Sequence, residues 1–307
     1  SFEPGGPVQL LTGAAGVVST VADRGLYRVF RNGGTIDWTG GRVFQSGFGV
    51  QGHFENLESG TVLLTGDGRW QDGRFENRGT VVKPGGRKDP DQFFTSFNSA
   101  FTSSGTVRIE SGGLDLPRTS RISGILEVSE GARVYFGSGN HVLEATSVVR
   151  GAGEVQASSG TVETLGAWTL EGLTDIRGTL RFLQTGPVTV RQMRLAGDLA
   201  GPANLTVTHR FDWVSGRMLP GGSLTLAAGG THQVIGGSDR FQYRVVNVAG
   251  TLVWNSGRIF QSGFGVQGIL HVRPGGVWEL AGDTSIHDGS VLNQGLLVKT
   301  VGSSTPD

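Results

Sequence analysis

The sequence predicts an all-β protein built as a β-solenoid, in which short strands wind into stacked coils of about 22 residues. Three observations support this prediction. Glycine accounts for 53 of the 307 residues, short runs of alternating apolar and polar residues recur along the chain, and the chain repeats itself. A solenoid coil buries its apolar side chains only against neighbouring coils. We therefore expect residues 1–307 to form one continuous solenoid.

A long internal repeat is the strongest of these observations. The nonapeptide Phe44–Gly52 recurs letter for letter as Phe260–Gly268, an offset of 216, and the same offset gives 38 identical pairs out of 91 without a gap. Residues 1–216 are thus one large repeat, and residues 217–307 begin a second that matches residues 1–91. Features of the first copy are therefore expected again in the second.

A shorter period inside the large repeat sets the coil length. Glycine followed by threonine or an apolar residue is spaced by 26, 19, 26 and 19 residues at Gly34, Gly60, Gly79, Gly105 and Gly124. A second element, Trp-x-x-Gly-Arg-apolar, begins at Trp38, Trp70, Trp213 and Trp254. The runs between the glycines alternate as half-buried strands do, with Val107 and Val128 pointing inward.

The least repetitive stretch, Arg87–Phe101, is expected to bulge as a loop between coils. It carries four phenylalanines, and an exposed cluster of that kind is rare on soluble proteins. We therefore expect these rings to tuck into the solenoid wall.

Composition excludes several function classes. Lys and Arg number 26 and Asp and Glu also 26, so a formal net charge of zero gives no bulk attraction for nucleic acid. Without cysteine there are no disulfides, Cys-ligated zinc sites or thiol nucleophiles. No stretch of 18 apolar residues occurs, so membrane insertion is not expected.

Several segments resemble the asparagine-, glycine-, threonine-, valine- and tryptophan-rich repeats of very large secreted bacterial surface proteins. The segments are Val248–Ile259, Gly276–Leu280, Val291–Lys299 and Asn77–Lys83. Such repeats are similar to the stalks of filamentous-haemagglutinin-type adhesins and autotransporter passengers. The resemblance implies a right-handed parallel β-helix that is secreted or displayed on the bacterial cell surface. It names no receptor.

From this resemblance we expect a non-catalytic structural or adhesive module, either an adhesin stalk or an extracellular fibre subunit. Its expected partners are adjacent coils or copies of itself stacked end to end, with host or environmental glycans as further ligands. Because the repeat match runs to Asp307, a coil resembling residues 84–116 is expected to stack on the last coil. The alternatives are a polysaccharide-binding module and a polysaccharide lyase or hydrolase on the same scaffold.

An enzyme of that class would need clustered carboxylates, which inverting glycoside hydrolases hold roughly 6.5–9.5 Å apart. The nearest candidates are Asp67 with Asp72, and Asp283 with His287 and Asp288. Both large repeats keep the two aspartates, as turn structure would, so we expect turns rather than catalysis. The six histidines lie apart without metal-ligand spacing, so neither a metal nor a cofactor is expected.

The duplicated nonapeptide supplies further candidates for binding or for corner packing. Phe48 and Phe264 lie between glycines, and the glutamines could hydrogen-bond a sugar or a peptide; these are Gln45, Gln51, Gln261 and Gln267. In the competing interpretation, which we favour, Phe44 and Val50 point inward and the Gly-Phe-Gly corner packs its own ring.

Trp38 and Trp254 are two further candidates. An exposed row of tryptophans would suit sugar rings, but tryptophan in such repeats more often packs in the core or at a corner. We expect both rings in the core.

Overall fold

The strands of the protein wind as stacked parallel coils. The computed structural model describes residues 1–19, 22–85 and 94–300, and within them all regular secondary structure is β. Coils recur about every 21 residues, which confirms the predicted β-solenoid. The described part of the chain contains no helix long and apolar enough to cross a membrane. The chain divides into two compact units, residues 1–169 (unit 1) and 170–307 (unit 2).

In unit 1 the strands of successive coils line up as three faces. Face 1 consists of Ala15–Val18, Thr35–Trp38, Thr61–Leu63, Thr80–Lys83, Thr106–Ile109, Ile125–Val128, Val148–Gly151 and Ala167–Leu170. Face 2 consists of Arg24–Gly25, Gly41–Phe44, the first parts of Gly68–Asn77 and Phe94–Ser103, Gly113–Leu116, Arg133–Phe136 and Glu154–Ala157. Face 3 consists of Val8–Leu10, Val29–Asn32, His53–Asn56, the second parts of the same two long strands, Ser120–Ile122, Asn140–Leu143 and Thr161–Thr164.

Unit 2 has three faces of its own. Face A consists of the first parts of Val188–Leu195 and Leu205–Trp213, Leu224–Leu226, Val245–Val248, Ile269–Val272 and Ser290–Asn293. Face B consists of Leu173–Ile176, the second parts of those two long strands, Thr231–Val234, Thr251–Trp254, Val277–Leu280 and Leu296–Lys299. Face C consists of Thr179–Phe182, Asp198–Gly201, Gly216–Gly221, Arg240–Gln242, Gly257–Phe260 and Thr284–His287.

The corner between faces 3 and 1 explains the glycine-threonine period. A Cβ on Gly60 would lie 2.3 Å from the carbonyl oxygen of Asn32, and one on Gly79 would lie 2.2 Å from that of Gly60. Only glycine lets the coils approach so closely there. The residue after each glycine continues the ladder, since the Thr61 amide donates to the Gly34 carbonyl at 2.8 Å.

A buried ladder of amide side chains lies just before this corner. Asn32 Nδ2 donates to Asn56 Oδ1 at 2.8 Å, Asn56 Nδ2 to Asn77 Oδ1 at 2.7 Å, and Asn77 Nδ2 to Ser103 Oγ at 3.0 Å. The three asparagines are 0% exposed, so each one satisfies its neighbour where water does not reach. The ladder ties four successive coils of unit 1 together.

Inward-facing apolar side chains fill the interior of both units. Val107 and Val128 are 1% and 0% exposed, which confirms the predicted strand alternation. Trp38 and Trp254 are each 1% exposed, so the expectation that they lie in the core is also confirmed. Neither indole offers a surface to a ligand.

The Trp-x-x-Gly-Arg element has a local structural cause at Trp38 and Trp254. Each indole Nε1 donates to the carbonyl of the residue two positions later, at 2.7 and 2.9 Å. The following glycine, Gly41 or Gly257, turns the corner with φ of 85° or 93°. Trp70 is different, because it pairs in register with Val43 and lies on face 2 instead of face 1. The shared letters at Trp70 therefore do not mark an equivalent position.

The prediction of a loop over Arg87–Phe101 is wrong for the second half of this stretch. Residues 94–103 form a strand, and Phe97 and Phe101 are 0% and 1% exposed. Their rings pack on aromatic rings of the preceding coil, with Phe101 stacked on Phe75 at 5.6 Å, so tucking into the wall is confirmed for these two. Residues 87–93 lie outside the described part of the chain.

Candidate functional site

The duplicated nonapeptide forms a small hairpin that projects from the solenoid. In unit 1 the chain leaves face 2 after Phe44, pairs Ser46 with Gln51 in antiparallel fashion, and rejoins face 3 at His53. The coil from Gly34 to Gly60 holds 26 residues where the next holds 19, and the hairpin accounts for most of the difference. Eight residues separate Phe44 from His53, whereas only two separate Gln71 from Arg74, their partners in the next coil. Unit 2 repeats the hairpin with Ser262 paired to Gln267, between faces C and A.

The tip of each hairpin has an unusual backbone. Phe48 and Gly49 have φ of 52° and 74°, and Phe264 and Gly265 have 52° and 72°. Positive φ at both central residues is the signature of a type I′ turn, whose first position favours Asn, Asp or Gly. A phenylalanine there costs about 1–2 kcal/mol of backbone energy.

In the described part of the chain, residues other than glycine with a left-handed backbone occur only at these hairpins and at the matching corner of the next coil. Among the described residues they are Phe48, Asp72, Phe264 and Asp288, two pairs that lie 216 positions apart. The aspartates lie at the matching corner of the next coil, which has no hairpin. In unit 1, Ser46 Oγ donates to Asp72 Oδ2 of that next coil at 2.9 Å. Such strain persists only where surrounding structure or function maintains it.

The glycines of the nonapeptide are required by packing. A Cβ on Gly47 would lie 2.6 Å from the ring of Tyr27, and one on Gly52 would lie 1.8 Å from the carbonyl oxygen of Leu26. Gly49 supplies the second positive φ of the turn. The fold itself thus explains why these three positions are glycine in both copies.

Packing does not explain the exposed side chains of the hairpin. Phe48 and Phe264 are 71% and 66% exposed, and Gln51 and Gln267 are exposed as well. The favoured corner-packing interpretation is wrong for Val50, which is 38% exposed, because the hairpin residues leave the coil instead of lining it. It is also wrong for Phe44, which alternates with the inward Val43 and lies under the Arg42 guanidinium at 4.7 Å. Each phenylalanine ring approaches a tyrosine ring edge-on, and most of its surface faces solvent.

A buried glutamine lies at the base of each hairpin, so the hypothesis that Gln45 and Gln261 contact a ligand is wrong. Gln45 and Gln261 are 0% exposed. Their backbone carbonyl oxygens accept hydrogen bonds from the backbone amides of Gly52 and Gly268 at 2.5 and 2.6 Å. The Gln45 side chain donates to the Arg74 carbonyl at 3.1 Å and its Oε1 lacks a protein partner, whereas both side-chain amide atoms of Gln261 lack one. The hairpin base is therefore better satisfied in unit 1.

The carboxylates weighed as catalytic candidates are held apart by the fold. Asp67 precedes the strand Gly68–Asn77 and binds Lys83 Nζ at 2.9 Å, while Asp72 lies at the corner within that strand. In unit 2, Asp283 lies 3.9 Å from Lys299 Nζ.

His287 Nε2 lies 2.9 Å from Ser285 Oγ, and its ring stacks on Phe260 at 4.9 Å. No group of three or more His, Asp or Glu side chains suited to a metal ion occurs in the described ranges.

Comparisons with known proteins add no family to this description, since no family model, no curated protein and no solved structure matches the chain. The site must therefore be interpreted from its own chemistry. Sequence reasoning singled out the nonapeptide but placed it in a packed corner. The alternation of 26 and 19 residues was the signal that a loop leaves the coil there.

Proposed function

We propose that this protein is a non-catalytic structural and adhesive module of a bacterial extracellular or surface protein, either an adhesin stalk or a fibre subunit. The observation that carries the proposal is an exposed phenylalanine, held in a strained backbone conformation, at the tip of two identical hairpins. A solenoid supplies the rigid frame, and two copies of one contact loop in one chain raise the effective concentration for the second contact. The similarity of the repeats to filamentous-haemagglutinin-type stalks supports the surface location.

The decisive experiment replaces both tip rings by asparagine. Asn-Gly is a preferred type I′ pair, so Phe48→Asn with Phe264→Asn relieves strain and should leave the melting temperature equal or higher. The probes are a glycan array and a biosensor surface that carries the protein itself. We expect the parent protein to bind at least one probe, and the double variant to lose at least tenfold in affinity. Undiminished binding, or a lower melting temperature, contradicts a contact role for the rings.

The fibre form of the proposal requires copies of the chain to associate with one another. Light scattering should then show association that rises with protein concentration. A parent protein that stays monomeric excludes the fibre form.

The enzymatic alternative makes a different prediction. A polysaccharide lyase or hydrolase would release unsaturated products or new reducing ends from pectin or alginate. We expect neither, because Asp67 is paired with a lysine and Asp72 accepts a hydrogen bond from Ser46.

A further inference from the structure

A polar groove opens beside the hairpin of unit 1. It has a volume of about 520 Å³ and runs from the hairpin across the corners of the next four coils. The side chains that line it and can form hydrogen bonds are those of Ser46, Gln51, Asp72, Arg118, Thr119 and Ser138. With coils about 4.8 Å apart, the groove extends over roughly 19 Å, which is the length of an oligomer and not of a single small molecule.

The floor of the groove is preorganised by its own hydrogen bonds. Arg118 Nε donates to Asn98 Oδ1 at 2.8 Å, and its Nη2 lies 3.5 Å from Asp72 Oδ1. Asp72 also accepts from Ser46, which joins the floor to the hairpin wall. Arg118 is nevertheless 54% exposed, so its remaining N–H groups are open to a ligand. Fixed donors and acceptors of this kind lose little entropy when they bind.

The charges of the groove select among ligand classes. One carboxylate, Asp72, and one guanidinium, Arg118, lie 3.5 Å apart, so the floor is close to neutral. A polyanion such as nucleic acid or a uronate polymer would meet the carboxylate as well as the guanidinium, which removes the gain that clustered arginines give. An apolar peptide would find only Ala100 and Pro117 as apolar side chains among the lining residues.

We propose that this groove binds a neutral oligosaccharide along the solenoid axis, with Gln51 contacting it from the hairpin wall and Arg118 from the floor. Vicinal hydroxyls both donate and accept, and a carboxylate beside a guanidinium satisfies both functions at once. A polymer with a regular repeat suits a groove whose corners also repeat. The inference rests on the proposed adhesive function and names the ligand class of the first hairpin.

The two identical hairpins provide a matched control. Gln267 occupies the same position as Gln51 in the same nine residues, but the groove of unit 1 contains only the first. The probes are cello-, xylo-, manno- and galacto-oligosaccharides of two to eight units, with oligogalacturonate and inorganic polyphosphate as anionic controls, titrated by calorimetry. We expect one neutral series to bind with affinity that rises with length, Gln51→Ala and Arg118→Ala to weaken it at least tenfold, and Gln267→Ala to change it less than twofold.

Three outcomes would overturn this inference. They are the absence of binding by every neutral series, preferential binding of either anionic control, and equal losses in Gln51→Ala and Gln267→Ala. Melting temperatures of all three variants are measured beside the parent; the glutamines are exposed, and we expect no change for them. A failure of the proposed function would be detected by a different experiment, the double variant Phe48→Asn with Phe264→Asn. That variant tests the tip rings, which do not line this groove.

Discussion

Phe48 meets the ring of Tyr27 edge-on, with ring centres 5.0 Å apart and planes at 86°. Phe264 and Tyr243 repeat the geometry at 5.1 Å and 85°. The surroundings of the two tyrosines differ, because Gly25 of the first copy is replaced by Phe241 in the second. The same edge-on pair of rings is therefore present in both hairpins although their surroundings differ.

Removing the tyrosine ring should loosen the hairpin without unfolding the coil. Tyr27→Leu is expected to speed hydrogen exchange at the Gly52 amide, which closes the hairpin, by roughly five- to tenfold, because an edge-to-face pair contributes about 1 kcal/mol. Tyr243→Leu should do the same at Gly268. The Gly60 amide, bonded within the next corner, serves as the control. Equal acceleration at Gly60 would show that the tyrosine supports the coil instead.

The asparagine ladder should be costly to interrupt. Asn56→Ala leaves Asn77 Oδ1 buried without a partner and removes one of the two acceptors of Asn32 Nδ2, which keeps the Thr61 carbonyl. We therefore expect a loss of about 3 kcal/mol in unfolding free energy. The matched control is Asn293→Ala, which removes the residue 216 positions after Asn77, where the side chain is exposed. That variant should lose less than about 1 kcal/mol by urea denaturation. Similar losses in both would mean that the ladder adds nothing.

Replacing each of the two buried glutamines by leucine should change the unfolding free energy differently. Gln261→Leu removes two amide atoms that have no protein partner, and we expect unfolding free energy to stay level or to rise by about 1 kcal/mol. Gln45→Leu breaks the bond to the Arg74 carbonyl and should lower it by about 1 kcal/mol. Urea unfolding of the two variants checks the sign. A larger loss for Gln261→Leu than for Gln45→Leu would contradict the assignment.

His141 should make the protein less stable in mild acid. Its side chain is 0% exposed beside Ser120, and burial lowers its pKa to about 4 from an ordinary value of 6.5. Between those two values the unfolded chain binds a proton that the folded chain does not. Stability therefore falls as pH drops from 6.5 to 4, by at most about 3 kcal/mol, and this contribution then levels off.

The matched variant for this titration is His141→Val, since Val162 occupies the same register position in the next coil. Urea denaturation at pH 6.5 and pH 4.5 should show a smaller loss of stability for the variant than for the parent. His232, whose pKa burial also lowers, is present in both proteins and cancels in the comparison. Equal losses of stability in the variant and the parent between pH 6.5 and pH 4.5 would exclude His141 as the source of the acid sensitivity.

The regular coil was predictable from the sequence because its causes are local and repeated. Glycine recurs at positions such as Gly60 and Gly79, where a Cβ would clash with a carbonyl oxygen. Tryptophan recurs at Trp38 and Trp254, where the indole donates to a carbonyl two residues later. The hairpin was harder to predict, since a Gly-Phe-Gly run permits both a packed corner and a projecting turn. The groove was not predictable at all, because Asp72 and Arg118 meet only through the stacking of coils 46 positions apart in sequence.

The corner that carries the first hairpin also closes without one in the next coil. Gln71 stays in register with Phe44, and Arg74 stays in register with His53. The whole hairpin lies between Phe44 and His53, whereas only Asp72 and Gly73 lie between Gln71 and Arg74. Length at this corner is thus independent of register on the faces. The consequence is evolutionary: loops can be gained, exchanged or deleted here by insertion, while selection on the strands continues to act on packing. An engineer could graft a foreign recognition loop in place of residues 46–51 for the same reason.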